Sequence, residues 1–197
     1  MLVGLTGGFG CGKTTVLRLF GKLGAAVLSA DDIVHELLNR DDVRDAVAAL
    51  FGPDVLSDGG IDRKKLSERV FSDEGARRSL ERLLHPLVLE TIRRRSREAS
   101  ARDLVMVVEV PLLFETGFDR EVDAVVAVRA ESGAVRRRLR KKGFSEEDLT
   151  KRGAAQIPVE EKASRADYVI DNSGPLEDTE RQVRMVWDEL LSRAGKG

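Results

Sequence analysis

Two glycines, a lysine and a hydroxyl at fixed spacing can grip a phosphate. Gly7, Gly12, Lys13 and Thr14 fit the pattern G-x-x-x-x-G-K-[ST] inside the stretch LTGGFGCGKTTV, residues 5–16. Glycines this dense lose much backbone entropy on ordering, which points to a requirement for their main chain. Gly8, Gly10, Cys11, Gly12, Lys13, Thr14 and Thr15 are the expected cradle, with N–H groups curling round an anion at the positive end of a helix. Lys13 is placed to reach the outer phosphates. The Thr14 hydroxyl is placed to complete the oxygen shell of a Mg²⁺ ion. A glycine-rich turn that binds nothing would not need strand, lysine, hydroxyl and helix all in register, so the implied ligand is a nucleoside triphosphate.

Positioning such a loop takes a strand before it and a helix after it, and the pattern supplies both. Leu2, Val3 and Leu5 read as a buried strand; Val16, Leu19, Phe20 and Leu23 recur at helical spacing. Further strands are predicted at Ala25–Leu28, Leu104–Val108, Ala124–Val128 and Tyr168–Ile170. A closing helix is predicted through Val183, Val186, Trp187, Leu190 and Leu191. From Asp41 to about Arg102 only helical stripes are visible. The expectation is an α/β protein with a parallel sheet, a core formed by residues 1–40 and 103–197, and a helical insertion over 41–102. Ligands of such sheets sit outside the carboxyl ends of the strands. That singles out Asp31 and Asp32, Glu109 with the following PLLFE, and Asp171 with Asn172. Asp31 has two readings there, a helix cap or a base acting on an acceptor hydroxyl. The basic run VRRRLRKK, residues 135–142, is equally readable as a solvated helix face or as part of a lid that closes over phosphates.

Composition narrows the partners. The 197 residues carry 33 basic and 34 acidic side chains, a formal net charge of -1, which gives no overall attraction to nucleic acid or anionic membrane. One cysteine excludes an intrachain disulfide and suits a reducing compartment. The apolar stretch Leu104–Phe114 is broken by Glu109 and falls short of the ~20 residues a membrane helix needs. The N-terminal residues form strand and loop at once, with no basic-then-apolar leader pattern, and a cytoplasmic protein is expected. Small-molecule partners are expected, with a monomer or weak homo-oligomer as the assembly.

LTGGFGCGKTTV, ADDIVHELL, LLHPLV, VPLLFETG, AAQIP and DYVIDNSG occur in the order found in dephospho-CoA kinases, and from residue 2 to about 190 the chain resembles that family. The resemblance implies a P-loop NTPase kinase core with a helical acceptor-binding insertion and a small lid at about 138–155. It implies ATP-dependent phosphorylation, with Mg²⁺, of the ribose 3′-hydroxyl of dephospho-CoA. It favours Asp31 as the base and leaves Asp32 as a cap. It places His35, His85, Pro111 and Leu112 at the acceptor, and Arg138 and Arg152 in the lid. His85 precedes Pro86, so a helix break is expected there.

Three departures from the family pattern stand out. Ser29-Ala30-Asp31 replaces a more acidic Asp-Ala-Asp, Lys142 stands where arginine is usual, and Cys11 stands in place of serine or another small residue. A thiol beside a helix N-terminus is expected to have a lowered pKa, and so to alkylate readily unless ATP covers it. No Walker-B aspartate is apparent, which leaves Glu109 as a candidate partner near the metal. Another nucleoside-monophosphate or small-metabolite kinase would share the core. A regulatory GTPase needs an N/T-K-x-D motif, and Thr150-Lys151-Arg152-Gly153 lacks its aspartate.

Overall fold

Apolar runs form the strands of one parallel sheet whose three inner strands are buried. The computed structural model describes residues 1–57, 60–141, 143–144 and 156–195. The chain divides into two compact units, Met1–Ser29 with Ser96–Gly197, and Ala30–Arg95.

In the first unit, strands β1 (Leu2–Gly7), β2 (Ala26–Ser29), β5 (Met106–Glu109), β6 (Ala124–Arg129) and β7 (Tyr168–Asp171) form a sheet in the order β2-β5-β1-β6-β7. Every pairing is parallel, with Leu5 opposite Glu109 on one side and Val126 on the other. The central strand β1 is buried along its whole length, as a strand covered on both faces should be. Helices α1 (Lys13–Lys22), α6 (Ser132–Lys141), α7 (Val159–Arg165) and α8 (Leu176–Arg193) accompany the sheet. Val183, Val186, Trp187 and Leu190 of α8 are buried, and Trp187 meets Phe20 of α1 with ring centroids 6.2 Å apart. Their spacing of three and four residues puts this apolar stripe on one helix face.

The second unit contains α2 (Ala30–Leu37), α3 (Asp41–Phe51), α4 (Arg63–Ser72) and most of α5 (Glu74–Ala101). It also contains an antiparallel pair, β3 (Leu56–Ser57) with β4 (Gly60–Ile61), in a region where sequence indicated helices alone. Two residues per strand are too few for a period-2 pattern to emerge. A second correction concerns Pro86: α5 runs through it instead of breaking. An interior proline costs about 3 kcal/mol. Leu84 and Ile92, both buried on the same helix, oppose that local cost. Among the described residues no helix is long and apolar enough to cross a membrane.

Candidate active site

The glycine-rich loop begins where β1 ends, on the edge of the sheet where the parallel strands finish. Cys11 donates its N–H to the Gly8 carbonyl at 3.3 Å, and Thr15 and Val16 donate to Gly12 at 3.0 and 3.2 Å, which starts α1. Lys13 is 8% exposed, and its Nζ donates to the carbonyls of Gly7 at 3.2 Å and Gly8 at 3.1 Å. Its charge is thereby held against the loop. Three glycines are required by geometry, and the first is Gly7, at φ +146, where a Cβ would lie 2.1 Å from the Val128 carbonyl oxygen. Gly10 has φ +77, and a Cβ there would lie 2.5 Å from Leu139 Cδ1 and 2.8 Å from Val135 Cγ1 of α6. Gly12 has φ +92, and a Cβ there would lie 2.1 Å from the side-chain nitrogen of Asn172. Phe9 at the loop's crest packs edge-on against Phe144, with centroids 5.5 Å apart.

Polar groups gather at this loop. The exposed Thr14 places Oγ1 3.5 Å from Oε1 of Glu109, which is 6% exposed and ends the strand adjacent to β1. A hydroxyl and a carboxylate are hard oxygen donors of the kind Mg²⁺ accepts, with water and phosphate completing its octahedron. Among the described residues there is no group of three or more His, Cys, Asp or Glu able to hold a metal by itself. Arg138 of α6 has a buried Nη1 with no hydrogen-bond partner among the described residues, and its charge acts on the Cys11 thiol. A guanidinium nitrogen in that state is suited to an anion.

Cys11 requires a correction. It is 3% exposed, and burial pushes the thiol above its ordinary pKa, outweighing the opposing charges of Lys13 and Arg138 and the backbone donors at Ala130 and Gly8. A thiolate needs solvent or a cation in contact to be stabilised, and here desolvation wins over the helix terminus. The low-pKa thiol expected from sequence is therefore replaced by a buried one whose pKa is raised.

The remaining sequence-selected residues are distributed as follows. Asp31 and Asp32 occupy the first turn of α2, and His35 follows Asp31 by four residues, so Asp31 and His35 share a helix face. All three are exposed. Arg63 Nη2 donates to the His35 carbonyl at 3.5 Å and to Asn39 Oδ1 at 3.4 Å. His85 is exposed on α5. These residues belong to the second compact unit. Pro111 and Leu112, half-buried, follow β5 in the first unit. Lys142 and Arg152, with most of the lid, lie outside the described residues.

Sequence reading passed over two buried groups. Lys162 of α7 is fully buried, donating to the Pro111 carbonyl at 2.6 Å and pairing with Glu115 Oε1 at 2.9 Å. Thr179 of α8 is also fully buried and donates to Asn172 Oδ1 at 2.9 Å. Neither carries a motif, and only the partners brought in by folding reveal them.

A phosphate loop between the central strand of a parallel sheet and its first helix, with its lysine bonded to the loop carbonyls and an arginine whose charge reaches Cys11, defines a P-loop kinase of the α/β class. The same fold occurs in shikimate kinase from Bacteroides thetaiotaomicron, with a TM-score of 0.51 over 96% of this chain and 98% of that one; at 18% identity the likeness concerns the fold alone. A family model described as dephospho-CoA kinase matches residues 1–178. A dephospho-CoA kinase of Aquifex aeolicus is 42% identical over 190 residues, covering 95% of this chain and 96% of the relative. The structure of a dephospho-CoA kinase from Campylobacter jejuni superposes with a TM-score of 0.73 and 27% identity, over 96% of each chain. The chain belongs to the dephospho-CoA kinase family.

Proposed function

We propose that this protein transfers the γ-phosphoryl group of ATP to the ribose 3′-hydroxyl of dephospho-CoA, giving coenzyme A and ADP. The observation that carries this reading is a complete phosphate loop, with Lys13 held at its mouth, in a chain of the dephospho-CoA kinase family. Phosphoryl transfer has a loose transition state, so positioning and electrostatics contribute more than covalent chemistry.

In this scheme the loop N–H groups and Lys13 hold the β- and γ-phosphates, and Arg138 faces the charge on the transferring group. Arg152 adds a second lid cation. Thr14 and Glu109 hold Mg²⁺, which when bound neutralises phosphate charge as a Lewis acid. Asp31, two residues beyond the carboxyl end of β2, orients the acceptor hydroxyl and takes its proton as the new O–P bond forms and the bond to ADP breaks. His35, His85, Pro111 and Leu112 contact the acceptor.

The test is ADP release from Mg·ATP with dephospho-CoA, AMP, CMP, shikimate or no acceptor, with mass detection of products. Turnover with dephospho-CoA alone, giving one added phosphoryl group, is expected. Lys13→Ala and Asp31→Asn should fold normally while losing most turnover, by about 10²–10⁴-fold for the base. Preference for another acceptor would overturn the substrate assignment. Substantial turnover by folded Asp31→Asn would remove the base.

A further inference from the structure

The phosphate loop owes its shape to a residue from the far end of the chain. Asn172 directly follows β7, 161 positions from its partner in the loop, and is 6% exposed. Its Nδ2 donates to the Cys11 carbonyl at 2.8 Å, and its Oδ1 accepts from Thr179 Oγ1 at 2.9 Å. The chemistry of the groups fixes this orientation. A carbonyl only accepts, so the NH₂ end must face Cys11, and the hydroxyl then serves as donor to the oxygen end. The main chain of Asn172 is also anchored, its N–H donating to the Arg129 carbonyl at 2.8 Å. The amide therefore has one position and one direction.

Its effect is carried by the peptide unit it touches. In a trans peptide the C=O and the following N–H point in opposite directions, and every peptide among the described residues is trans. Tying back the Cys11 carbonyl therefore turns the Gly12 N–H away from Asn172. Gly12 is held at φ +92, where the peptide could otherwise reorient at little steric cost, and it has no side chain to resist rotation. The Asn172 nitrogen fills the space a Cβ of Gly12 would occupy.

We infer that Asn172, oriented by Thr179, is a positioning residue that fixes the Cys11–Gly12 peptide so that the Gly12 N–H is aimed at the nucleotide phosphates before nucleotide arrives. The inference rests on the nucleotide site proposed above and makes no use of the acceptor. A preset donor spares the loop the reorganisation that binding would otherwise impose.

Thr179→Val keeps the shape and removes the hydroxyl, leaving the buried Asn172 Oδ1 without its donor and loosening the hold on the amide. Thr179→Ser keeps the hydroxyl, and Asn172→Ala removes the tie altogether. ATP dissociation constants are measured calorimetrically on the full chain, beside KM for each substrate, kcat and thermal unfolding. A hydrogen bond of this kind corresponds to about a tenfold effect. Asn172→Ala and Thr179→Val should weaken ATP binding by about that factor and leave KM for dephospho-CoA within about twofold, and Thr179→Ser should restore wild-type ATP affinity. A merely structural role would lower the unfolding temperature and leave the ATP constant of the folded variants unchanged, and that result overturns the inference. If Asn172→Ala does not fold, the Thr179 pair decides alone: equal ATP affinity in the Val and Ser variants overturns it. Because the readout is ATP binding, failure of wild type to phosphorylate dephospho-CoA would sink the acceptor assignment and leave this comparison valid.

Discussion

Replacing Lys162 by methionine should destabilise the protein by about 3 kcal/mol without disturbing its fold. Lys162 is 0% exposed and pairs with Glu115, whose side chain is 18% exposed. Breaking a buried pair by removing one partner costs about 3–5 kcal/mol, chiefly because the other charge is left behind. The lower end applies here for two reasons. Glu115 Oε1 keeps the Ile157 N–H at 3.0 Å, and the Pro111 carbonyl keeps the Thr6 hydroxyl at 3.3 Å. Methionine also fills most of the space of the lysine stem, so cavity formation adds little. For a chain of 197 residues this corresponds to a fall in Tm of about 6–12 °C. The assay is urea unfolding followed by the fluorescence of the single Trp187, with the slope m required to stay constant. Glu115→Gln in the Lys162→Met background removes the orphaned charge and should recover more than half of the loss. A loss below about 0.5 kcal/mol in Lys162→Met, or strict additivity of the two substitutions, would refute the reasoning.

Cys11 should alkylate slowly in the native protein, with or without ATP, and rapidly once urea unfolds it; fast native labelling would contradict its burial. Because the folded thiol has its pKa raised above 9.0, the native state binds the proton more tightly than the unfolded chain. The corresponding stability is present below pH 9 and lost as pH rises through the folded value, so Cys11→Ala should show a shallower decline in unfolding free energy at alkaline pH. Gly10→Ala must adopt φ +77 and push Leu139 and Val135 aside, and should raise KM for ATP by about tenfold or more, since the left-handed conformation alone costs about 1–2 kcal/mol. Gly133→Ala on the same helix α6 meets only Arg137 Nη1, at 3.4 Å, and should leave KM for ATP unaltered; similar constants for both variants would discount the packing argument.

The parts of this molecule that were legible in sequence are those whose physics is local. The phosphate loop is contiguous, so its glycines, Lys13 and Thr14 announce themselves with the strand before and the helix after. Strands of four to six buried residues and the stripe of α8 are long enough for periodicity to speak. The β3–β4 pair is too short to do so, and Pro86 argues locally for a break that α5 does not make. Cys11 misleads for a related reason: a helix terminus is visible in sequence, while the desolvation that outweighs it depends on the whole fold. Asn172 was visible as a strand-end residue, yet its partner Cys11 lies 161 positions away and its orienting hydroxyl is a threonine with no motif around it. Lys162 reads as one more charge on a short helix until Glu115 and the Pro111 carbonyl are brought to it.

These supports share an electrostatic logic. An anion site must keep its cations available, so a brace built from a carboxylate would oppose the ligand it serves. Asn172 supplies a directed hydrogen bond with no charge, and Thr179 orients it with none either. Near the loop, where Val159 of α7 lies 3.3 Å from the place a Gly8 Cβ would take, the buried charge is a matched pair, Lys162 with Glu115, with little net field. Lys13 and Arg138 bring positive charge beside the loop's backbone donors, and Glu109 stands next to Thr14. Sheet, glycines and neutral braces set the loop's shape, and Lys13 and Arg138 contribute positive charge to it. That separation lets the loop be rigid without being less attractive to phosphate.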